Sequence, residues 1–251
     1  MVMMAAAAFL VGACVGSFLN VVIHRLPREE SIVSPRSRCP GCGREIRAWE
    51  NIPIVSFIVL GGKCAGCGGA ISWRYPAVEL LTATGFVAIF LLDGPGIPLL
   101  RDLVFFSLLV PIVFIDIDHR IIPDELSLGG LAAGLLVSFL PGGDWKGSIA
   151  GALLGGGILY ATAVLYEKVR GAEGMGGGDI KLLAMIGAFV GWRGTLATIF
   201  VGSFLGAVGG ILSMRKGGEG LKTAIPFGPY LCVAALLSRY LGGWFWGMIL
   251  I

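Results

Sequence analysis

Apolar stretches of about 20 residues recur along this chain, and they leave it few ways to fold. They run near 2–23, 77–92, 99–117, 125–140, 147–167, 179–192, 195–214 and 226–250. In hydrocarbon every backbone polar group needs an internal partner, so such segments become helices. The expectation is an all-α fold, a polytopic membrane bundle of about eight transmembrane helices. Composition agrees: 56% hydrophobic residues, 14% charged and a mean hydropathy of +0.86 do not suit a water-soluble domain. The 41 glycines follow no G-X-Y period, which excludes collagen, and a net charge of +3 gives no nucleic-acid footprint. The first stretch, MVMMAAAAFLVGACVGSFLNVVI, has no basic residue before it and no small-residue cleavage site leading into a soluble domain. It reads as a retained helix and not as a signal peptide.

One long hydrophilic segment, 24–75, interrupts the pattern. With eight spans, fifteen of the 19 Lys and Arg fall on its side, and Arg101, Lys146, Arg193 and Arg239 fall on the other. The positive-inside rule then places 24–75 in the cytosol and both termini outside. Within the spans, small residues recur at four-residue spacing: Gly130/Gly134, Gly147/Gly151/Gly155 and Gly202/Gly206/Gly210. Each stripe lets helix backbones approach closely, which is a packing role.

The segment 24–75 holds Cys39, Cys42, Cys64 and Cys67. Two C-x2-C knuckles separated by 21 residues match a tetrathiolate zinc pattern, with a spacer slightly longer than usual. Gly41, Gly43, Gly66 and Gly68 permit the tight turns that present two sulfurs each. Two disulfides or a redox pair share this spacing. A reducing cytosol disfavours the first, and no βαβ pattern supports the second. Cys14 and Cys232 lie in apolar spans and read as packing residues.

FIDIDHRIIPDELSL, 114–128, crowds Asp116, Asp118 and Asp124 at one helix end. Asp124 follows Pro123 and opens an apolar run, so it reads as a helix N-cap, with Glu125 suited to the first turn. Asp118 can be solvated or paired with His119 or Arg120. Asp116 directly follows LVFFSLLVPIVFI, with no cation on that helix to neutralise it. A second carboxylate, Asp179, opens another apolar run within GMGGGDIKLLAMIGAFVGW, 174–192. Residues 103–115 and 180–192 are each 13 long, or about 20 Å of helix against a hydrocarbon core of about 30 Å. If the outer ends reach the far interface, both acids lie below the cytosolic lipid surface. Carboxylates at that depth face the protein interior, a water cavity or a partner. Lys181 does not serve Asp179, because residues two apart on a helix diverge.

Two carboxylates at matched depth suggest a dyad. In close contact they cannot both ionise, so one holds a proton while the other acts as a base. Such a pair activates water against a peptide carbonyl and then protonates the leaving amine. Gly174, Gly176, Gly177 and Gly178 leave no side-chain bulk beside Asp179, so an extended substrate backbone could approach along this loop.

These residues resemble the bacterial prepilin peptidases, also called type 4 prepilin-like leader peptidases and N-methyltransferases. The matching stretches are GSFLNVVIHRLP (16–27), both cysteine knuckles, WRYPAVELL (73–81), DIDHRIIPD (116–124), GMGGGDIKLLAMIGAFVGW (174–192) and IPFGPYL (225–231). They cover nearly the whole chain in order. A G-x-G-D alone is weaker, being shared with presenilin-like intramembrane proteases. The resemblance implies a bacterial inner-membrane aspartic peptidase with the catalytic pair Asp116 and Asp179. It implies removal of a short basic leader after glycine from type IV prepilins or type II secretion pseudopilins, on the cytosolic side. It also implies methylation of the new N-terminal residue, typically Phe, with S-adenosylmethionine. No glycine-rich dinucleotide fingerprint independently supports that second step. The expected division is 1–92, carrying the four-cysteine loop and the methyltransferase part, and 93–251, carrying the peptidase core.

Rival readings are a peptidase without methylation, an ion-coupled transporter using the buried acids, and a scaffold whose zinc loop docks a partner. No repeat of the first half is visible in the second, and both acids sit towards one face, against the transporter. A scaffold would need no carboxylate pair. A zinc protease is disfavoured because no H-E-x-x-H occurs, His24 and His119 being the only histidines.

Overall fold

The computed structural model describes residues 1–171, 176–215 and 226–249. Their regular structure is helical, with two isolated bridges, Arg38–Glu45 and Lys63–Ala70, as the only extended pairings among the described residues. Five helices in this set are long and apolar enough to cross a membrane. The chain divides into two compact units, Met1–Pro111 and Ile112–Ile251.

The first unit holds α1 (Val2–Arg25), the short α2 (Val55–Val59), α3 (Arg74–Asp93) and the first part of α4 (Ile97–His119). Helices α1 and α3 run antiparallel in close contact. Gly12 faces Ala83 and Phe86, and Gly16 faces Glu79 and Thr82, where a Cβ would come within 2.8 Å of the Glu79 Cα. Asn20 extends the same register one turn on by donating its Nδ2–H to the Tyr75 carbonyl at 3.1 Å. Gly85 of α3 lies against the Phe106 ring of α4 and has no room for a side chain.

The second unit holds the end of α4, then α5 (Asp124–Ser138), α6 (Trp145–Arg170), α7 (Gly177–Arg215) and α8 (Gly228–Ile249). Asp144 caps α6 by accepting the Gly147 N–H at 2.9 Å. The glycine stripes act as packing surfaces. Gly134 of α5 meets Phe189 and Ala188, Gly151 of α6 meets the backbone of Gly187, and Gly155 meets that of Leu183. Gly202 and Gly206 receive Leu231 and Phe227 at the α8 end.

Helix α7 is nominally 39 residues, a rod of about 58 Å if straight. It is not straight. Gly191 has φ 70 and ψ 176, outside any helix. Gly178 contacts Ile122, Ile122 lies against Gly228, and Gly206 lies against Phe227, so both ends of α7 meet the start of α8. The chain therefore reverses at Gly191, and α7 is a hairpin of two segments. The break expected at 193–194 falls two residues earlier, at the glycine able to hold the left-handed φ.

Candidate active site

Asp116 sits three residues before the end of α4, with 5% of its surface exposed, whereas Asp118 faces outward. The helix closes at Arg120, whose φ of 57 is left-handed and whose N–H bonds the Asp116 carbonyl at 2.9 Å. Asp179 stands in the first turn of α7, its N–H bonding the Gly176 carbonyl at 3.2 Å. It lies within Coulombic reach of Asp116. The helix ends that carry the two acids adjoin inside the second unit, since Ile122 lies against both Gly178, next to Asp179, and Gly228, whose N–H binds Asp116.

A third element joins them. The Gly228 N–H, at the start of α8, donates to Asp116 Oδ2 at 3.0 Å in a buried site. A Cβ on Gly228 would lie 2.7 Å from that same oxygen and 3.4 Å from Ile122 Cδ1, so only glycine fits. Helix N-termini present unpaired N–H groups and the positive end of the dipole, which suits a carboxylate. Ile122 fills the space between Gly178 and Gly228. Cys232, one turn beyond Gly228, is buried, as expected of a packing residue. Residue reasoning assigned no role to Gly228 or Ile122. The available signal was a glycine followed by Pro229 at the mouth of an apolar run, a start signal for a helix.

The glycines beside Asp179 divide in role. Gly177 has open space beside it, and Gly176 would place a Cβ 3.9 Å from Asp179 Oδ2. Gly178 instead faces Ile122 at 3.1 Å, a packing constraint. Gly174 lies outside the described residues. The expected N-cap at Asp124 is not formed. Pro123 occupies the cap position and Asp124 is the first helical residue, with no side-chain cap bond. Its carboxylate takes the Lys181 ammonium at 2.6 and 2.8 Å instead. A charged partner on α7 outcompetes the local N–H groups, and the pair ties α5 to the turn that carries Asp179.

In the first unit the four knuckle sulfurs all lie within 4.8 Å of one another, Cys39 and Cys67 at 3.9 Å. Tetrahedral Zn–S bonds of about 2.3 Å require sulfurs about 3.8 Å apart, so the donor set fits zinc. The two knuckles share one backbone pattern. Cys39 N–H bonds the Arg44 carbonyl and Cys64 N–H the Gly69 carbonyl, each five residues on. Gly43 and Gly68 return bonds to the Cys39 and Cys64 carbonyls at φ 70 and 69. Of the four glycines expected to make these turns, only those two need the left-handed conformation. Gly66 instead makes room for Arg44, whose Nε a Cβ would approach to 2.8 Å. Backbone N–H groups of Cys67 and Gly66 pull the Cys64 thiol down to about 6. At Cys42 the Arg44 backbone pulls down, but desolvation and the thiols of Cys39 and Cys67 push it up to about 11. A divalent cation among the sulfurs would relieve the push that opposes ionisation of Cys42. Arg44 also pairs with Glu50 at 2.8 Å, fastening the first knuckle to the turn at 48–51.

Comparison with known proteins bears on both units. The Bacterial Peptidase A24 N-terminal domain matches residues 10–92, and the Type IV leader peptidase family matches residues 103–211. A prepilin leader peptidase/N-methyltransferase of Pseudomonas aeruginosa is 40% identical, across 93% of this chain and 89% of the relative. The chain belongs to the type IV leader peptidase family. Relatives with the same name include one from Aeromonas salmonicida, 38% identical over 93% of this chain and 89% of its own. Another, from Myxococcus xanthus, is 45% identical over 84% of this chain, which spans 63% of that longer protein. No solved structure matches this chain. The acids of α4 and α7 fall within the matched peptidase region, and the cysteine knuckles fall within the matched N-terminal domain.

Proposed function

We propose that this chain is a membrane endopeptidase that removes the short basic leader of type IV prepilins or type II secretion pseudopilins after glycine. It then methylates the freed N-terminus. The observation that supports the reading is the adjoining of the helix ends that carry Asp116 and Asp179, with Ile122 between them and the N–H of Gly228 on Asp116. That N–H occupies one lone pair of Oδ2 and keeps Asp116 an acceptor. Asp116 takes a proton from water as the water oxygen bonds to the scissile carbonyl carbon. Asp179 donates its proton, first as a hydrogen bond to the carbonyl oxygen. When the C–N bond breaks, a proton passes from the dyad to the leaving amine, and the pair again shares one. Gly176 and Gly177 border the open side of Asp179 and offer a place for an extended backbone.

The first unit takes the second step. S-adenosylmethionine, implied by an N-methyltransferase, would supply a methyl group to the deprotonated amine nitrogen, its S–CH3 bond breaking to release S-adenosylhomocysteine. No cluster of described side chains singles out a place for that donor. Cys39, Cys42, Cys64 and Cys67 would hold zinc in a structural role, cross-linking two turns of a loop with little apolar core. The apolar stretches support eight spans, and with that count the distribution of Lys and Arg supports a four-cysteine loop and dyad on the cytosolic side of a bacterial inner membrane.

The test is mass spectrometry of a pilin precursor N-terminus in membranes containing this protein. Asp116→Asn and Asp179→Asn should each abolish cleavage with the protein still inserted, and Asp118→Asn should retain it. Asp179→Glu should also fail, because an added methylene moves the carboxyl beyond catalytic tolerance. Full cleavage by either Asn variant at 116 or 179 overturns the mechanism.

A further inference from the structure

The short helix α2 is built inside out for a loop in water. Its inward side holds Ser56, which is buried and donates its hydroxyl to the Trp49 carbonyl at 3.0 Å. Its outward side holds Val55, Ile58 and Val59, spaced i, i+3, i+4 on one face and exposed at 52%, 70% and 77%. Trp49, Ile52 and Trp73 are exposed around the same segment. Isolated exposed apolar residues are ordinary, but a contiguous patch rimmed with polar groups marks an interaction surface.

The loop's own contacts fix the level of this patch. The Ile54 N–H, just before α2, donates to Glu79 Oε2 at 2.7 Å. Glu79 is five residues past the start of α3, about 7.5 Å along the axis. A helical side chain leans towards its helix N-terminus. Ile54 therefore comes level with the first turn of α3, at the end of a helix suited to cross the membrane. Ile54 itself has φ 63, a conformation that a β-branched residue rarely adopts, and the Glu79 bond holds it there. Phe57 packs on Trp73 with ring centroids 4.6 Å apart, which puts α2 beside the residue that opens α3. Tryptophans collect at this level, where the membrane meets water. Two cations flank the segment in sequence: Arg47 lies over the Trp49 ring at 5.4 Å, and Lys63 is exposed four residues after Val59.

We propose that the outer face of α2 is immersed in an anionic phospholipid surface, with Val55, Ile58 and Val59 among the upper acyl chains. Arg47 and Lys63 reach lipid phosphates by extending their stems along the apolar patch. The loop is then pinned to the leaflet at α2 and to α3 through Glu79, and the cysteine knuckles on either side are held next to the membrane. This reading depends on the chain's spanning a bilayer and not on its catalytic assignment.

The test uses the full chain in phosphatidylethanolamine–phosphatidylglycerol vesicles, with the photoreactive residue p-benzoylphenylalanine at position 58 or 59. Leu81, exposed on α3, calibrates a lipid adduct, and Glu45, on the first knuckle, calibrates the aqueous background. Irradiation should yield phospholipid adducts at 58 and 59 comparable with those at Leu81 and lost at Glu45. The yield at 58 should drop several-fold when Val59→Asp is added, or when the vesicles are wholly phosphatidylcholine. Adducts at the Glu45 background overturn the proposal. Cross-links to a second copy of the chain, or to a prepilin added to the same vesicles, overturn it in favour of a protein-docking face.

Discussion

At the scale of single residues, the site turns on a few tenths of an ångström around Asp116. Gly228 offers an N–H and withholds a Cβ, and both features serve the same carboxylate oxygen. Gly228→Ala keeps the N–H but places a methyl group against Oδ2, so Asp116 must move. We expect kcat for prepilin cleavage to fall by about tenfold or more, because misplacement of about 1 Å can cost 100-fold. KM should change little. Steady-state kinetics on a precursor peptide checks this, and an unchanged kcat would show that Asp116 tolerates displacement. Asp124 shows how local rules yield to partners. Its position after proline suggested a cap, yet the lysine two residues after Asp179 captures it. That pair is exposed, and such pairs contribute about 0–1 kcal/mol, so its worth lies in orientation.

At the scale of elements, two devices carry the fold. Helices α6 and α7 approach at Gly151 and Gly187 until backbone meets backbone. Gly187→Val should force them apart, at about 1–3 kcal/mol for an overpacked contact. Thermal unfolding in detergent should show a lowered midpoint, together with reduced cleavage because Asp179 opens the same helix. The knuckle pair is the other device. Cys39→Ser or Cys64→Ser should lower the zinc content of purified protein and expose residues 36–70 to protease. Metal analysis with limited proteolysis checks both. A metal-free protein with four oxidised cysteines would refute the zinc assignment.

At the scale of the whole molecule, the two units divide the chemistry between them in the proposed reading. The dyad and every contact found around it lie in Ile112–Ile251, and the four-cysteine cluster lies in Met1–Pro111. Disrupting the knuckles should therefore abolish methylation first, while cleavage persists as long as the protein stays inserted. Mass spectrometry of the pilin N-terminus separates an unprocessed, a cleaved and a cleaved-and-methylated product. If methylation of a pre-cleaved substrate instead tracks Asp116 and Asp179, the partition is wrong.

Hydropathy settled the helical class, because apolar segments in lipid have no other way to satisfy their backbone. Cysteine spacing marked a tetrathiolate cluster, since each C-x2-C turn is a local structure that needs no distant partner. The candidacy of Asp116 and Asp179 came from a related local signal: an uncompensated acid at the end of an oily helix is anomalous wherever it falls. The groups packed around these acids were not legible. Gly228 is 112 residues from Asp116, and nothing local distinguishes a glycine that donates to a carboxylate from one that merely starts a helix. The capture of Asp124 by Lys181 and the packing of Ile122 between two glycines share that character. Each is decided by which helix end arrives beside which, and only tertiary packing determines that.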